Sequence, residues 1–384
     1  MDHDLFLIVL ITGSQGLITD LRFLLEKDGV CLAAQHRAGG HAAPTGTLKE
    51  MQQVFSTRLA SLVETEELVS GVSVDLRTLG GDLYEILLPE ELRTELEAAA
   101  SSVDDDEAPV LRIHTEVPWI PWELMHDGHS FLGLRFRIAR LPIVSVAPGI
   151  EHLKRHAQPR IVSQVCNVLG EHVLDNQLLA AWKETFSGVP DHDVHQRSFP
   201  PLVNGALGDY PKSSDIEGVL AETDILHLTC HGRVDDSERV YWTLNDQHTD
   251  FWNYEIKEGH VNTWGREEKL AISRPLVFAN ACFSATVGAG ASKLGLAKGF
   301  GPRFLSHGAT AFVAPFARVT KSLAVQFARQ FYQVLLGEAV SIGEALWQVK
   351  RAYAANPPDD QRDSSWLFYC LYGHPDTRFA LNEE

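Results

Sequence analysis

Three features of this 384-residue chain predict an α/β fold built on a mainly parallel sheet. Short apolar runs rich in β-branched residues recur in its second half, each bounded by turn residues, as strands covered on both faces require. Helical stretches with apolar residues four apart separate those runs. The length suits about two domains, each large enough to bury a core without disulfide staples.

In the first half, Leu5–Ile11 and Val110–His114 read as strands and Leu48–Leu62 and Glu90–Ala100 as helices, so strand and helix alternate. Gly13-Ser14-Gln15-Gly16 lacks the Gly-Lys-Ser/Thr of a phosphate-binding loop and is read as a strand-to-helix turn. The segment Pro118–Met125 reads as a packed Trp/Pro turn that leads through Asp127-Gly128 to a strand at Phe136–Leu141. A polar run from Ser101 to Glu107 reads as an internal loop. The Pro/Gly and basic stretch Pro148–Pro159 marks a boundary, dividing the chain into residues 1–150 and 151–384.

In the second half the expected strands are Arg160–Val165, Asp224–Thr229, Pro275–Ala279, Ala309–Ala314 and Trp366–Leu371. Ser322–Leu336 places Leu323, Phe327, Phe331 and Leu335 on one helix face, and Gly337 is expected to stop that helix. Ser341-Ile342-Gly343-Glu344 is a capping box that opens the next one.

Composition narrows the function. With 33 basic against 51 acidic residues the net charge is −18, which repels phosphate backbones and anionic lipid, so no direct nucleic-acid or membrane partner is expected. Five scattered cysteines without a CxxC spacing argue against a disulfide framework or a zinc ribbon and fit a reducing cytoplasm. Leu5–Ile11 is too short for an export signal and follows Asp2, His3 and Asp4 rather than Lys or Arg. No stretch approaches the roughly 20 apolar residues of a membrane helix.

The chemistry concentrates in two strands. Asp224-Ile225-Leu226-His227-Leu228-Thr229-Cys230-His231-Gly232 reads as a buried strand ending in His-Gly, and Pro275–Ser284 as a second one ending at Cys282. Catalytic groups in open α/β sheets gather at the carboxyl ends of strands. If these two are parallel neighbours, His231 and Cys282 meet at one sheet edge as a Cys/His dyad. A thiol of ordinary pKa about 8.5 is mostly protonated at neutral pH, and an adjacent imidazole can take its proton and later return one to a leaving amine. The N–H groups of Gly232 and Cys282 are candidate oxyanion-hole donors. His227, Cys230, His231 and Cys282 are also potential zinc ligands, but strand alternation turns Cys230 away from the histidines, so no metal is expected. No cofactor is expected either.

Several segments resemble the CHAT family of caspase-like cysteine peptidases, which is akin to separase. Leu226–Gly232 is similar to its catalytic-histidine strand and Phe278–Cys282 to its nucleophile strand. The resemblance continues through Phe304–Ala309, Val313-Ala314-Pro315, Phe331-Tyr332, Ala345-Leu346, Tyr372-Gly373 and Pro375. Upstream it takes in Ile120–Met125, Phe131-Leu132-Gly133 and Arg140, so that roughly residues 70–384 are covered. The spacing of His231 and Cys282, about 50 residues, is also that of caspases.

The resemblance implies a caspase-like three-layer sandwich preceded by a second, inactive caspase-like α/β half. Residues 1–150 are then the inactive half and residues 151–384 the catalytic domain, with His231 as base and Cys282 as nucleophile. Ser284 stands where caspases proper have a glycine. Phe316 matches an aromatic that follows the strand ending at Pro315, but Thr320-Lys321 stands where many members have an acidic residue that could line the P1 pocket. Glu171, Asp175 and the pair Asp235-Asp236 are acidic groups on loops able to approach the site.

Relatives often carry helical sensor repeats that this chain does not show, which implies a separately encoded regulatory or sensor protein. The expected role is a cysteine endopeptidase acting on a protein substrate, the protease subunit of a bacterial defence or signalling assembly. Loops Asp235–Asp250 and Ala285–Ser292, with Gly288 and Gly290 as hinges, would be ordered on activation. The rival readings are an inactive caspase-like scaffold or binding module and an acyl transferase or thioesterase using the same two residues.

Overall fold

One eleven-stranded sheet carries the molecule. The computed structural model describes residues 4–12, 20–38, 72–143, 161–166, 211–285 and 299–379, apart from 105, 118–119, 236–238, 246–250 and 357–362. It also describes residues 54–55, 57–59, 156–157, 195–199, 202–203 and 206–207.

The strands are β1 (Leu5–Thr12), β2 (Asp20–Lys27), β3 (Val30–Ala38), β4 (Val110–Thr115), β5 (Arg137–Pro142), β6 (Ile161–Cys166), β7 (His195–Phe199) and β8 (Ile225–Thr229). They continue with β9 (His231–Val234), β10 (Val240–Thr243), β11 (Leu276–Asn280), β12 (Ala311–Pro315) and β13 (Tyr369–Gly373). The main sheet runs β3-β2-β1-β4-β5-β13-β12-β11-β8-β6-β7. Seven of its ten pairings are parallel, as the apolar runs predict. The strands β11, β12 and β13 are buried along their whole length, the pattern of strands covered on both faces.

Helices cover the two faces. On one side, Phe278 and Tyr369 pack against Phe327, Phe331 and Tyr332 of α5 (Lys321–Gly337), which is followed by α6 (Ile342–Ala355). On the other, Phe312 and Tyr372 meet Phe304 and Gly301 of α4 (Phe300–Ser306), and α4 lies against α3 (Glu258–Arg266). The first half supplies α1 (Val72–Leu87) and α2 (Glu90–Ala100). The result is a three-layer sandwich.

The start of the chain departs from the expected alternation of strand and helix. The strands β1, β2 and β3 form an antiparallel meander. Asp28 and Gly29 both have positive φ, +53° and +75°, which is the two-residue reverse turn that matches the twist of paired strands. The expected strand-to-helix turn at Gly13–Gly16 lies outside the described residues, but the connection it belongs to joins β1 to β2, strand to strand. Of the expected helix 48–62, residues 54–55 and 57–59 are described and are helical.

Later elements need smaller corrections. The helix α5 includes Gly337, and the chain reverses at Ala339, whose φ is +52°. Ser341 caps α6 as expected, its hydroxyl accepting from the Glu344 amide. The last strand begins at Tyr369, because Ser365–Phe368 form a 3₁₀ turn, and it runs antiparallel to β12. The expected loop Asp235–Asp250 contains β10.

The boundary expected at residue 150 lies outside the described residues. The sheet nevertheless crosses from one half to the other without a break, because β5 pairs parallel with β13, placing Arg140 opposite Tyr372. No described helix is long and apolar enough to cross a membrane.

Candidate active site

The strands β8 and β11 are parallel neighbours, in register from Ile225 opposite Leu276 to Thr229 opposite Asn280. The expected strand through His231-Gly232 stops earlier. The Cys230 amide donates to the Asn280 carbonyl at 3.3 Å, and beyond this last rung the chain leaves the sheet. His231 and Gly232 open β9, which pairs with β10 so that Gly232 lies opposite Trp242.

That excursion brings Gly232, the residue after His231, against the backbone of Cys282. A Cβ added to Gly232 would lie 1.7 Å from the carbonyl oxygen of Cys282 and 2.9 Å from its nitrogen. Real Cβ atoms do not approach so closely, so only glycine permits the contact. His231 and Cys282 are both half-buried at this point.

Cys282 sits on a tight turn. The Ser284 amide donates to Ala281 O at 3.2 Å, and Phe283 is held at φ +62°, a left-handed conformation costly for a bulky residue. The segment after β12 supports the turn: Phe283 N donates to Ala317 O at 3.4 Å and Ala285 N to Pro315 O at 3.0 Å. The Cys282 thiol donates to Val319 O, with sulfur and oxygen 3.8 Å apart. Burial pushes this thiol above its ordinary pKa, with the positive charge of Arg318 opposing.

Asn280 anchors the strand end beneath the turn. Its amide nitrogen donates to Ala324 O at 2.9 Å and its oxygen accepts from the Tyr369 hydroxyl at 2.7 Å, fixing β11 to α5 and β13. Sequence reading missed this role. Its signal is a single polar residue at the end of an otherwise apolar strand.

Other residues named from sequence have different places. Ser284, expected to contact substrate, is fully buried; its hydroxyl donates to Ala281 O at 2.6 Å and accepts from the Trp242 indole at 2.7 Å. It therefore ties the hairpin carrying His231 to the turn carrying Cys282. Phe316 is also buried, packed against Phe368 with the Arg140 guanidinium over its ring. Asp235 closes the β9–β10 hairpin by accepting from Arg239 Nε at 2.9 Å and from the Arg239 amide at 2.9 Å. Glu171 and Asp175 lie outside the described residues.

His227 belongs to the core. It is fully buried, stacked on Phe278 and bonded to the Tyr332 hydroxyl at 3.1 Å and to Thr229 Oγ1 at 3.0 Å. Burial pushes its pKa down to about 3. Among the described residues no group of three or more His, Cys, Asp or Glu side chains is placed to hold a metal ion.

A three-layer sandwich with this sheet, carrying a cysteine turn beside a histidine hairpin at the ends of neighbouring strands, has the fold of the caspase-like cysteine peptidases. A model of the CHAT domain matches residues 77–374, and the chain belongs to that family. Among solved structures, two of the Saccharomyces cerevisiae separase–securin complex align over 98% of this chain with TM-scores of 0.59 and 0.55, at 10% and 11% identity. This chain spans 30% of the separase chain in each, and the likeness is one of fold. The Arg-specific cysteine proteinase gingipain R aligns over 78% of this chain and 70% of its own, with 10% identity and a TM-score of 0.46. No curated protein matches the sequence.

Proposed function

We propose that this chain is a regulated cysteine endopeptidase, with residues 151–384 as its catalytic domain and residues 1–150 as an inactive caspase-like half. The observation that carries this reading is the direct backbone contact of Gly232 with Cys282, which holds the His231 segment against the thiol-bearing turn.

His231 takes the Sγ proton as Sγ attacks the scissile carbonyl carbon, and the carbonyl π electrons move to oxygen. The N–H groups of Gly232 and Cys282 receive that oxyanion. Its collapse breaks the C–N bond, and His231 protonates the departing amine. A water that loses its proton to His231 then attacks the thioester carbonyl, and the released thiolate recovers the proton.

The resting state supports regulation. The Cys282 thiol donates to Val319 O, and this bond must be given up before the thiol hands its proton to His231, so attack requires the turn to rearrange. A separately encoded partner is proposed to do this, making the chain the protease subunit of a bacterial defence or signalling assembly. The yeast separase that shares the fold was solved with another protein, securin.

Cleavage of an unbiased peptide library by the wild type and by Cys282→Ala, alone and with products of neighbouring genes, tests the proposal. Cleavage that disappears in Cys282→Ala is expected. Silence of the wild type in every mixture would favour a scaffold that keeps the fold without the activity.

A further inference from the structure

The seam between the two halves encloses a buried charge cluster that the proposed chemistry does not use. Arg140 of β5 is fully buried and pairs through both its Nε and its Nη2 with the two carboxylate oxygens of Glu123, itself 1% exposed. Lys350 of α6 is also buried, and burial lowers its pKa. Removing charges from water costs several kcal/mol per ion in general. A hydrophobic seam would hold the halves together without that cost, so the position of the guanidinium invites a second role.

Arg140 supports two rings. Its Cζ lies 5.9 Å from the Phe316 centroid and 5.8 Å from that of Tyr372. Both rings lead to the nucleophile turn. The Tyr372 hydroxyl donates to Ala285 O at 3.1 Å. The neighbours of Phe316, Pro315 and Ala317, accept the amides of Ala285 and Phe283. One side chain from the first half thus underpins Phe283 and Ala285, the residues on either side of Ser284 in the turn that follows Cys282.

We propose that Arg140, oriented by Glu123, is a positioning residue for the Cys282 turn, acting through Tyr372 and Phe316, so that the first half completes the site instead of only covering it. The inference rests on Cys282 being the nucleophile. It accounts for the strained Phe283, since a left-handed bulky residue persists only where its surroundings over-determine it.

The test is alkylation of Cys282 by iodoacetamide across a pH series, followed by mass spectrometry on the full chain, with exposed Cys31 as internal reference. Two variants are compared with wild type. Glu123→Leu with Arg140→Met removes both charges together, which generally leaves stability near that of the ion pair. Tyr372→Phe removes one hydroxyl and keeps its ring. In each variant Cys282 is expected to react about fivefold faster, on the scale of one ordinary hydrogen bond. The midpoint of its pH profile should fall as the turn opens, with Cys31 and the thermal midpoint little changed.

A Cys282 profile identical to wild type in Tyr372→Phe overturns the proposal, and so does one in a folded double variant. Should the double variant fail to fold, Tyr372→Phe alone decides. Alkylation needs no peptidase activity, so failure of the proposed function, seen as cleavage indifferent to Cys282→Ala, is a separate result.

Discussion

Gly232 and Cys282 touch through their main chains, so closely that a Cβ at position 232 would lie 1.7 Å from the Cys282 carbonyl oxygen. The obstacle is backbone on a turn already held by three backbone–backbone hydrogen bonds, so it cannot yield as a flexible side chain would. Gly232→Ala should therefore lose about 1–3 kcal/mol of stability, the usual cost of overpacking. Displacing the hairpin by about 1 Å should also lower Cys282-dependent cleavage about 100-fold. Thermal unfolding and peptide kinetics measure the two effects, and an alanine variant with wild-type kinetics would remove Gly232 from the site.

Ser284 and Trp242 supply a second link between the same two segments. Ser284→Ala leaves the Trp242 indole N–H without its acceptor inside the core. A loss of about 1–3 kcal/mol is expected from the unsatisfied donor. Cleavage should weaken for all peptides alike, because the buried hydroxyl acts through the hairpin and touches no substrate. A selective change in sequence preference would instead return Ser284 to the substrate surface.

His227 predicts how stability depends on pH. Its folded pKa of about 3 lies below the unfolded value of about 6.5, so the unfolded chain binds the extra proton first as pH falls. The stabilising contribution of the neutral imidazole is complete above pH 6.5 and declines from there towards pH 3. At pH 5 the loss amounts to about 2 kcal/mol. His227→Gln should remove this component, visible as a shallower fall of the thermal midpoint between pH 7 and pH 5.

Cys282 predicts a resting thiol that is slow to react. Because burial raises its pKa, alkylation at neutral pH should be slower than at an exposed cysteine and should climb only above the ordinary thiol range near pH 8.5. Addition of an activating partner should move that profile to lower pH. Mass spectrometry of the alkylated chain reads both, and a fast reaction at pH 7 without a partner would contradict a silent resting state.

Much of the fold is legible in local sequence because strand burial and helix amphipathicity are local periodicities. The runs Asp224–Thr229 and Pro275–Ala279 are strands in the structure to within a residue, and Leu323, Phe327, Phe331 and Leu335 are all fully buried on α5. The meander of β1–β3 also had a local signal in Asp28-Gly29, a dipeptide suited to a tight hairpin. His231, Gly232 and Cys282 stand out in sequence for the same reason: each is a chemically reactive or permissive residue at the end of an apolar run.

Tertiary structure alone decided the rest. The halt of β8 at Thr229, the bond from Trp242 to Ser284, the anchoring of Asn280 by Tyr369 and the reach of Arg140 to Phe316 and Tyr372 join residues tens to hundreds of positions apart. No periodicity relates such pairs, since their contacts arise only once the strands have taken their order in the sheet. The chain by itself determined which groups are candidates for the chemistry and which apolar runs they follow. Tertiary packing determined how those groups are held, because a buried hydrogen bond or ion pair depends on the directions from which separate segments arrive.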